Sequence, residues 1–259
     1  MNDKTPRRAR PSGTPIEEPE LILSEHGNAR SSGISRGPSA RESRPRDDTP
    51  QRDSPALPRT AARHRVTRET DVAVTLDLDT LDTLDSSLPA ISTSVPFLDH
   101  LLTTFARHGR FSLRITAHGD TAIDDHHTVE DVGIVLGQAL RAALGERRGI
   151  ARFGSAYAPM DEALTRAVVD ISGRPYLVYE TGPVALPERV GHFDTQLVEE
   201  FWRAFATEAR VTLHLDVLRG RNAHHVCEAL FKAAGLALRI AVHVASPEGA
   251  IPSTKGVLE

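Results

Sequence analysis

One pattern occurs twice in this chain of 259 residues: "IDDHHTVED" at 123 to 131 and "RNAHHVCEA" at 221 to 229, each with adjacent histidines and a glutamate just beyond them. His126 and His224 stand 98 residues apart and Phe105 and Phe205 stand 100 apart, so the pattern belongs to a longer unit written twice. The loop before the first histidine pair is accordingly two residues longer than its counterpart. A duplicated unit restricts the fold severely, because both copies must bury the same faces in the same way.

Periodicity supplies the elements of each unit. "VTRETDVAVTLDLD" at 66 to 79 alternates as a half-buried strand does, and "AISTSV" at 90 to 95 permits a short strand. "FLDHLLTTFARHG" has helical apolar spacing, with Gly109 expected just past the cap. "FSLRITAHGD" reads as a strand, and a helix from His126 to Leu144 is apolar at Val129, Val132, Leu136 and Leu140. The second half repeats the order: strands in "LTRAVVDISG" and "PYLVYE", a helix in "TQLVEEFWRAFATEA", the strand "VTLHLDV" and a helix from about His224 to Val242. The expected fold class is α+β, built from two pseudo-symmetric β-β-α-β-α repeats at about 64–155 and 156–245, each a sheet covered on one face by helices.

Successive helical residues point roughly 100° apart, so His126 and His127 are expected to serve different ions. Glu130 lies about 40° around the helix from His126 and about 60° from His127 on the other side, so it pairs better with His126. If the halves are alike, the scheme is crossed: His126 and Glu130 with His225, and His224 and Glu228 with His127. Imidazole and carboxylate ligands suit Mn²⁺, Fe²⁺, Co²⁺ or Zn²⁺, and the lack of thiolate argues against structural zinc. A single such motif at a helix start is commonly a solvated cap, but two in matching positions are hard to explain as caps. Cys227 points away from both histidines and is expected in the core.

The 39% hydrophobic content is concentrated after residue 60. Residues 1–60 hold nine of the 17 prolines and ten arginines, with few large apolar residues, and read as a disordered tail. Their charge is mixed, eleven basic against nine acidic residues, so no nucleic-acid partner is expected. No run is long enough to span a membrane, and "RRAR" at 7 to 10 lacks the apolar stretch of a secretory signal. With Cys227 as its single cysteine the chain has no intrachain disulfide, which fits a cytoplasmic location. Residues 61–259 are read as one domain ending in a tail at 246–259.

The two motifs, with "FLDHLL" at 97 to 102, "GRNAHHVCEALFKA" at 220 to 233 and the terminal "PSTKGVLE", resemble the imidazoleglycerol-phosphate dehydratases of histidine biosynthesis. The resemblance spans about residues 64–259 and implies a fold like the second domain of a small-subunit ribosomal protein. It also implies two Mn²⁺ per active site, each held by three histidines and a glutamate. His100 and His214 then join the ligands, with His126, Glu130, His214 and His225 on one ion and His100, His127, His224 and Glu228 on the other. Substrate contacts carry over to Glu69, Arg152, Asp161, Arg174, Lys232, Ser253 and Lys255, the cationic ones and the serine being suited to a phosphate ester. The C-terminal tail becomes a substrate-binding segment, and the assembly a homo-oligomer of 24 subunits with sites where subunits meet. His26, His64, His108, His118, His192 and His243 are left as structural or solvated. The chain departs from the family where an acid and an amide are replaced by Thr103 and Thr104, and its connection at 81–94 is longer.

The implied reaction removes water from D-erythro-imidazole-glycerol phosphate to give imidazole-acetol phosphate, through an imidazolate held between the two ions. Glu69 is the first choice of base and Asp161 the next. A dinuclear metallohydrolase acting on a phosphate ester, or a metal-dependent assembly module, would use the same ligands.

Overall fold

The computed structural model describes residues 59–79, 90–182, 184–246, 249–256 and 258. Residues 1–58 of the expected tail and residues 80–89 of the long connection lie outside them.

The first repeat runs β1 (Thr60–Val66), β2 (Thr70–Asp77), β3 (Ile91–Ser92), α1 (Pro96–Gly109), β4 (Ser112–Gly119) and α2 (His126–Leu144). The second runs β5 (Phe153–Met160), β6 (Ala163–Asp170), β7 (Tyr176–Glu180), a small hairpin of β8 (Arg189–Val190) and β9 (Phe193–Asp194), α3 (Leu197–Ala209), β10 (Thr212–Arg219) and α4 (Ala223–Val242). The sheet orders are β1-β2-β4-β3 and β5-β6-β10-β7, antiparallel except for the last pair in each. Even the registers agree, with Thr60 opposite Asp77 and Phe153 opposite Asp170.

Each repeat thus carries one more edge strand than alternation suggests. β1, "TAARHRV", leaves most of its residues exposed, so it offers no apolar alternation to read. The alternating run at 66–79 is also divided: Val66 closes β1, the hydroxyl of Thr67 accepts from the amides of Glu69 and Thr70, and β2 begins at Thr70. α1 ends differently from expectation. Its left-handed cap is Arg110 at φ 55°, as Arg210 at φ 54° caps α3. Gly109 is the last residue of α1, and its lack of a side chain serves packing, since a Cβ there would lie 2.4 Å from the ring of Phe111.

Each sheet turns one face to the helices. In β4, Leu113, Ile115 and Ala117 are buried while Arg114, Thr116 and His118 face outward. α2 lies on β1 and β2, and α4 on β5 and β6, but the helices pair across the repeats: α1 with α4 and α3 with α2. Both crossings are close. A Cβ on Gly235 of α4 would sit 2.5 Å from the carbonyl oxygen of Phe105 on α1, and one on Gly137 of α2 would sit 2.6 Å from that of Phe205 on α3. Phe105, Phe201, Trp202, Phe205 and Phe231 interlock between the helices, mostly edge to face or tilted, and Cys227 is buried with this core, as expected.

Candidate metal centre

The two histidine pairs stand in the first turns of α2 and α4, where the backbone is held in the same way. Asp124 Oδ1 accepts from the His126 amide at 2.8 Å, and Asn222 Oδ1 accepts from the His224 amide at 2.9 Å. The adjacent imidazoles then stand nearly perpendicular, with centroids 6.1 Å apart in the first motif and 6.3 Å in the second. His126 Nε2 lies 3.6 Å from Glu130 Oε2, and His224 Nε2 lies 3.2 Å from Glu228 Oε2.

The α1–α4 crossing does more. Asp99 at the start of α1 accepts from the Thr93 amide and hydroxyl, and the next residue, His100, reaches Glu228 Oε2 at 2.9 Å. His100, His224 and Glu228 have ligand atoms within 4.8 Å of one another, drawn from both repeats. Burial would raise the Glu228 carboxyl, but hydrogen bonds from Lys232 and His100 outweigh it and hold the group at about 2. The Cys227 thiol beside it is pushed up to about 12 by burial, so it offers no thiolate.

The second histidine of each motif is oriented through Nδ1. His127 Nδ1 is 3.0 Å from Asp120 Oδ2, and His225 Nδ1 is 2.8 Å from Glu162 Oε2. Such carboxylates fix the ring and leave Nε2 for a ligand. The Asp120 contact raises His127 above its usual range, with Glu69 and Asp124 adding to it, while the His225 contact, followed by backbone amides, lowers Glu162 to about 2. Neither Asp120 nor Glu162 is singled out by sequence. Glu162 was findable, because matching β2 to β6 pairs it with Glu69. Asp161, in the same turn, is 3.8 Å from His225 Nε2 and highly exposed. A cavity of about 540 Å³ opens here, lined by Glu162, Arg189, Arg221, His224 and His225 among others.

Other expected residues lie apart. His214 is the third residue of β10 on the open face of its sheet, opposite Val168, so it is roughly 17 Å from the end of the strand that leads to His225. His127 is outside the three-residue cluster, and His126 with Glu130 forms no group of three among the described residues. Arg152 precedes β5 and Asp161 follows it, so roughly 30 Å of strand separates them. Arg152 forks onto both oxygens of Asp170 and donates to the Pro252 carbonyl at 2.8 Å, while Arg174 is 3.9 Å from Asp170. Ser253 Oγ accepts from the Lys255 amide, and Arg147 donates to the Leu258 carbonyl, so the tail lies beside Arg152. Thr104 is buried in α1, and Thr103 donates to its own helix at the Asp99 carbonyl.

A duplicated α+β chain whose crossed helices gather imidazoles and a carboxylate from both copies defines a class: a two-repeat enzyme with a cluster of side chains that could hold a metal ion. The family model described as imidazoleglycerol-phosphate dehydratase matches residues 93–238, and the chain belongs to that family. It is 56% identical over 202 residues to the imidazoleglycerol-phosphate dehydratase of Halorhodospira halophila, covering 77% of this chain and 98% of that one. The Gluconacetobacter diazotrophicus relative of the same name is 55% identical over 202 residues, with the same coverage. The solved structure of the Staphylococcus aureus enzyme superposes with a TM-score of 0.62 at 44% identity, covering 71% of this chain and 99% of that chain. The corresponding structure from Pyrococcus furiosus gives 0.63 at 39% identity, covering 76% and 100%. The chain is therefore a hydro-lyase, a dehydratase of histidine biosynthesis. Among the described residues no helix is long and apolar enough to cross a membrane.

Proposed function

We propose that this chain dehydrates D-erythro-imidazole-glycerol phosphate to imidazole-acetol phosphate at a site with two Mn²⁺ ions, completed by neighbouring copies of the chain in the cytoplasm. The observation that carries the reading is the convergence of His100, His224 and Glu228 within 4.8 Å. Two imidazoles and a carboxylate without a thiolate suit manganese among the borderline divalent ions. His127 would complete that set, and His126, Glu130, His214 and His225 would hold the second ion. When bound, the ions would supply Lewis acidity toward the imidazole of the substrate, where no carbonyl adjoins the C–H bond to hold the charge.

The chain's own groups do the rest. Glu69 takes the proton, and its exposed position in the β1–β2 turn leaves it free to move. Asp161 is the second candidate, whereas ligation removes Glu130 and Glu228 from that role. Arg152, Arg174, Lys232, Ser253 and Lys255 hold the phosphate, with Asp170 orienting the Arg152 fork.

Two distances favour completion by other chains: the stretch of strand between Arg152 and Asp161, and the remoteness of His214 from His225. Phe153, Tyr157, Val168 and Tyr176 also lie exposed on the sheet that carries His214, an apolar surface suited to contact in an assembly of 24 subunits. Product analysis with the Glu69→Gln variant tests the reading. A phosphorylated ketone from the parent chain, and its loss in the variant with assembly unchanged, is expected. Release of inorganic phosphate would instead indicate a dinuclear hydrolase, and unchanged turnover would remove Glu69 as base. Light scattering on chelated protein is expected to show species the size of trimers that manganese rebuilds into the shell; an intact metal-free shell would confine the ions to chemistry.

A further inference from the structure

The two oxygens of Glu228 have different partners. Oε2 faces the imidazoles, 2.9 Å from His100 Nε2 and 3.2 Å from His224 Nε2. Oε1 is 2.8 Å from the ammonium of Lys232, one helical turn further along α4. The ammonium is held from another side by Met160 Sδ at 3.7 Å, at the end of β5. The Glu228 side chain is only 10% exposed and that of Lys232 20%, so water screens the pair weakly.

The first repeat lacks this arrangement. The position matching Lys232 is Ile134, and Glu130, with its side chain 44% exposed, has among the described residues an ion-pair contact with His126 alone, at 3.6 Å. The lysine is thus a departure from the internal symmetry, placed where the carboxylate is buried.

We propose that in the substrate-free chain Lys232, which the phosphate would draw away on binding, is the resident counter-cation of Glu228, holding the carboxylate in place for the ion through one oxygen while weakening the ion's binding through its own charge. This rests on reading the cluster as an ion site. Without an ion, the buried carboxylate would otherwise face only imidazoles, and removing its full charge partner is unfavourable. With an ion on Oε2, ammonium and ion share one small carboxylate and repel each other at short range. Because Oε1 is engaged, Glu228 ligates through Oε2 alone. Glu130 has no such restriction.

The test uses the full chain stripped of metal and titrated with Mn²⁺, reading free Mn²⁺ by electron paramagnetic resonance and thermal midpoints with and without saturating Mn²⁺. Lys232→Met is expected to bind Mn²⁺ about tenfold more tightly at low salt, to melt lower than the parent when metal-free, and to recover the parent's midpoint or exceed it when saturated. Lys232→Arg is expected to match the parent in both. In a Glu228→Gln background, Lys232→Met is expected to change Mn²⁺ affinity less than it does in the parent, because the carboxylate that the two cations share is gone. Midpoints lowered equally with and without Mn²⁺, at unchanged affinity, would overturn the proposal and leave Lys232 a structural partner. A parent chain that binds no Mn²⁺ would overturn the ion-site reading together with it.

Discussion

α2 and α4 begin alike and end up in different surroundings. Both carry two histidines in the first turn, both have the first histidine amide bound by a side chain two residues earlier, and both stand the adjacent rings nearly perpendicular. Yet Glu228 is buried among His100, His224 and Lys232, while Glu130 is half exposed beside His126. The crossing partner makes the difference. α4 meets α1, which brings His100; α2 meets α3, whose matching position holds Glu200. Duplication copies a backbone and its caps, but a ligand set also depends on what the neighbouring helix presents.

Replacing the two glutamates breaks the comparison most sharply. Glu228→Gln and Glu130→Gln are both expected to lower turnover by more than about a hundredfold, beyond the usual effect of losing a supporting group around a metal. They part on metal-free stability: Glu228→Gln should lose about 1–3 kcal/mol by leaving a buried partner unsatisfied, while Glu130→Gln should stay within about 0.5 kcal/mol. Urea unfolding of the metal-free variants measures this, and equal losses would erase the asymmetry.

The helix crossings offer a second handle. Gly235→Ala and Gly137→Ala each place a methyl against a carbonyl oxygen and are expected to destabilise by about 1–3 kcal/mol. Only Gly235→Ala spreads α1 from α4 and parts His100 from Glu228, so it alone should weaken the Mn²⁺ affinity of that cluster in a calorimetric titration.

Acid separates the motifs more gently. Glu228, held at about 2 against an ordinary 4.5, contributes stability that is complete above about 4.5 and lost as the pH falls toward 2. The stability difference between the parent and Glu228→Gln should therefore shrink from pH 5 to pH 2 in urea titrations, to within about 0.5 kcal/mol. His127 carries the opposite sign. Its pKa is raised by Asp120, so its contribution is complete below its ordinary 6.5 and disappears as the pH rises through the raised value. In NMR titrations Asp120→Asn should lower the His127 pKa; no change would reassign the cause.

The smallest effect is expected from removing residues 1–58. Their composition cannot bury a core, whereas Arg59 donates to the Val242 carbonyl and Asp79, and Thr60 opens β1. Activity and midpoint should be nearly unchanged, and a large fall in either would give the tail a packing role. Extending the deletion through Thr60 should begin to erode stability.

The sequence by itself determined the duplication, α2 and α4 to within a residue, the alternating strands β4 and β10, and the histidine pairs with their glutamates. These are local: periodicity, caps and spacing act over a few residues and are written in neighbouring letters. β1 was illegible because its edge position leaves Ala62, Arg63 and His64 exposed in succession, without alternating. Asp120 was illegible because a carboxylate that orients an imidazole needs only to lie near it in space, and Glu162 was legible only through the repeat, as the partner of Glu69 when β2 is matched to β6. Tertiary structure alone decided that helices pair across repeats, that Gly235 lets α1 and α4 touch, and that His100 meets Glu228 across 128 residues of chain. Contacts of that range depend on how whole faces fit together, which no local pattern encodes.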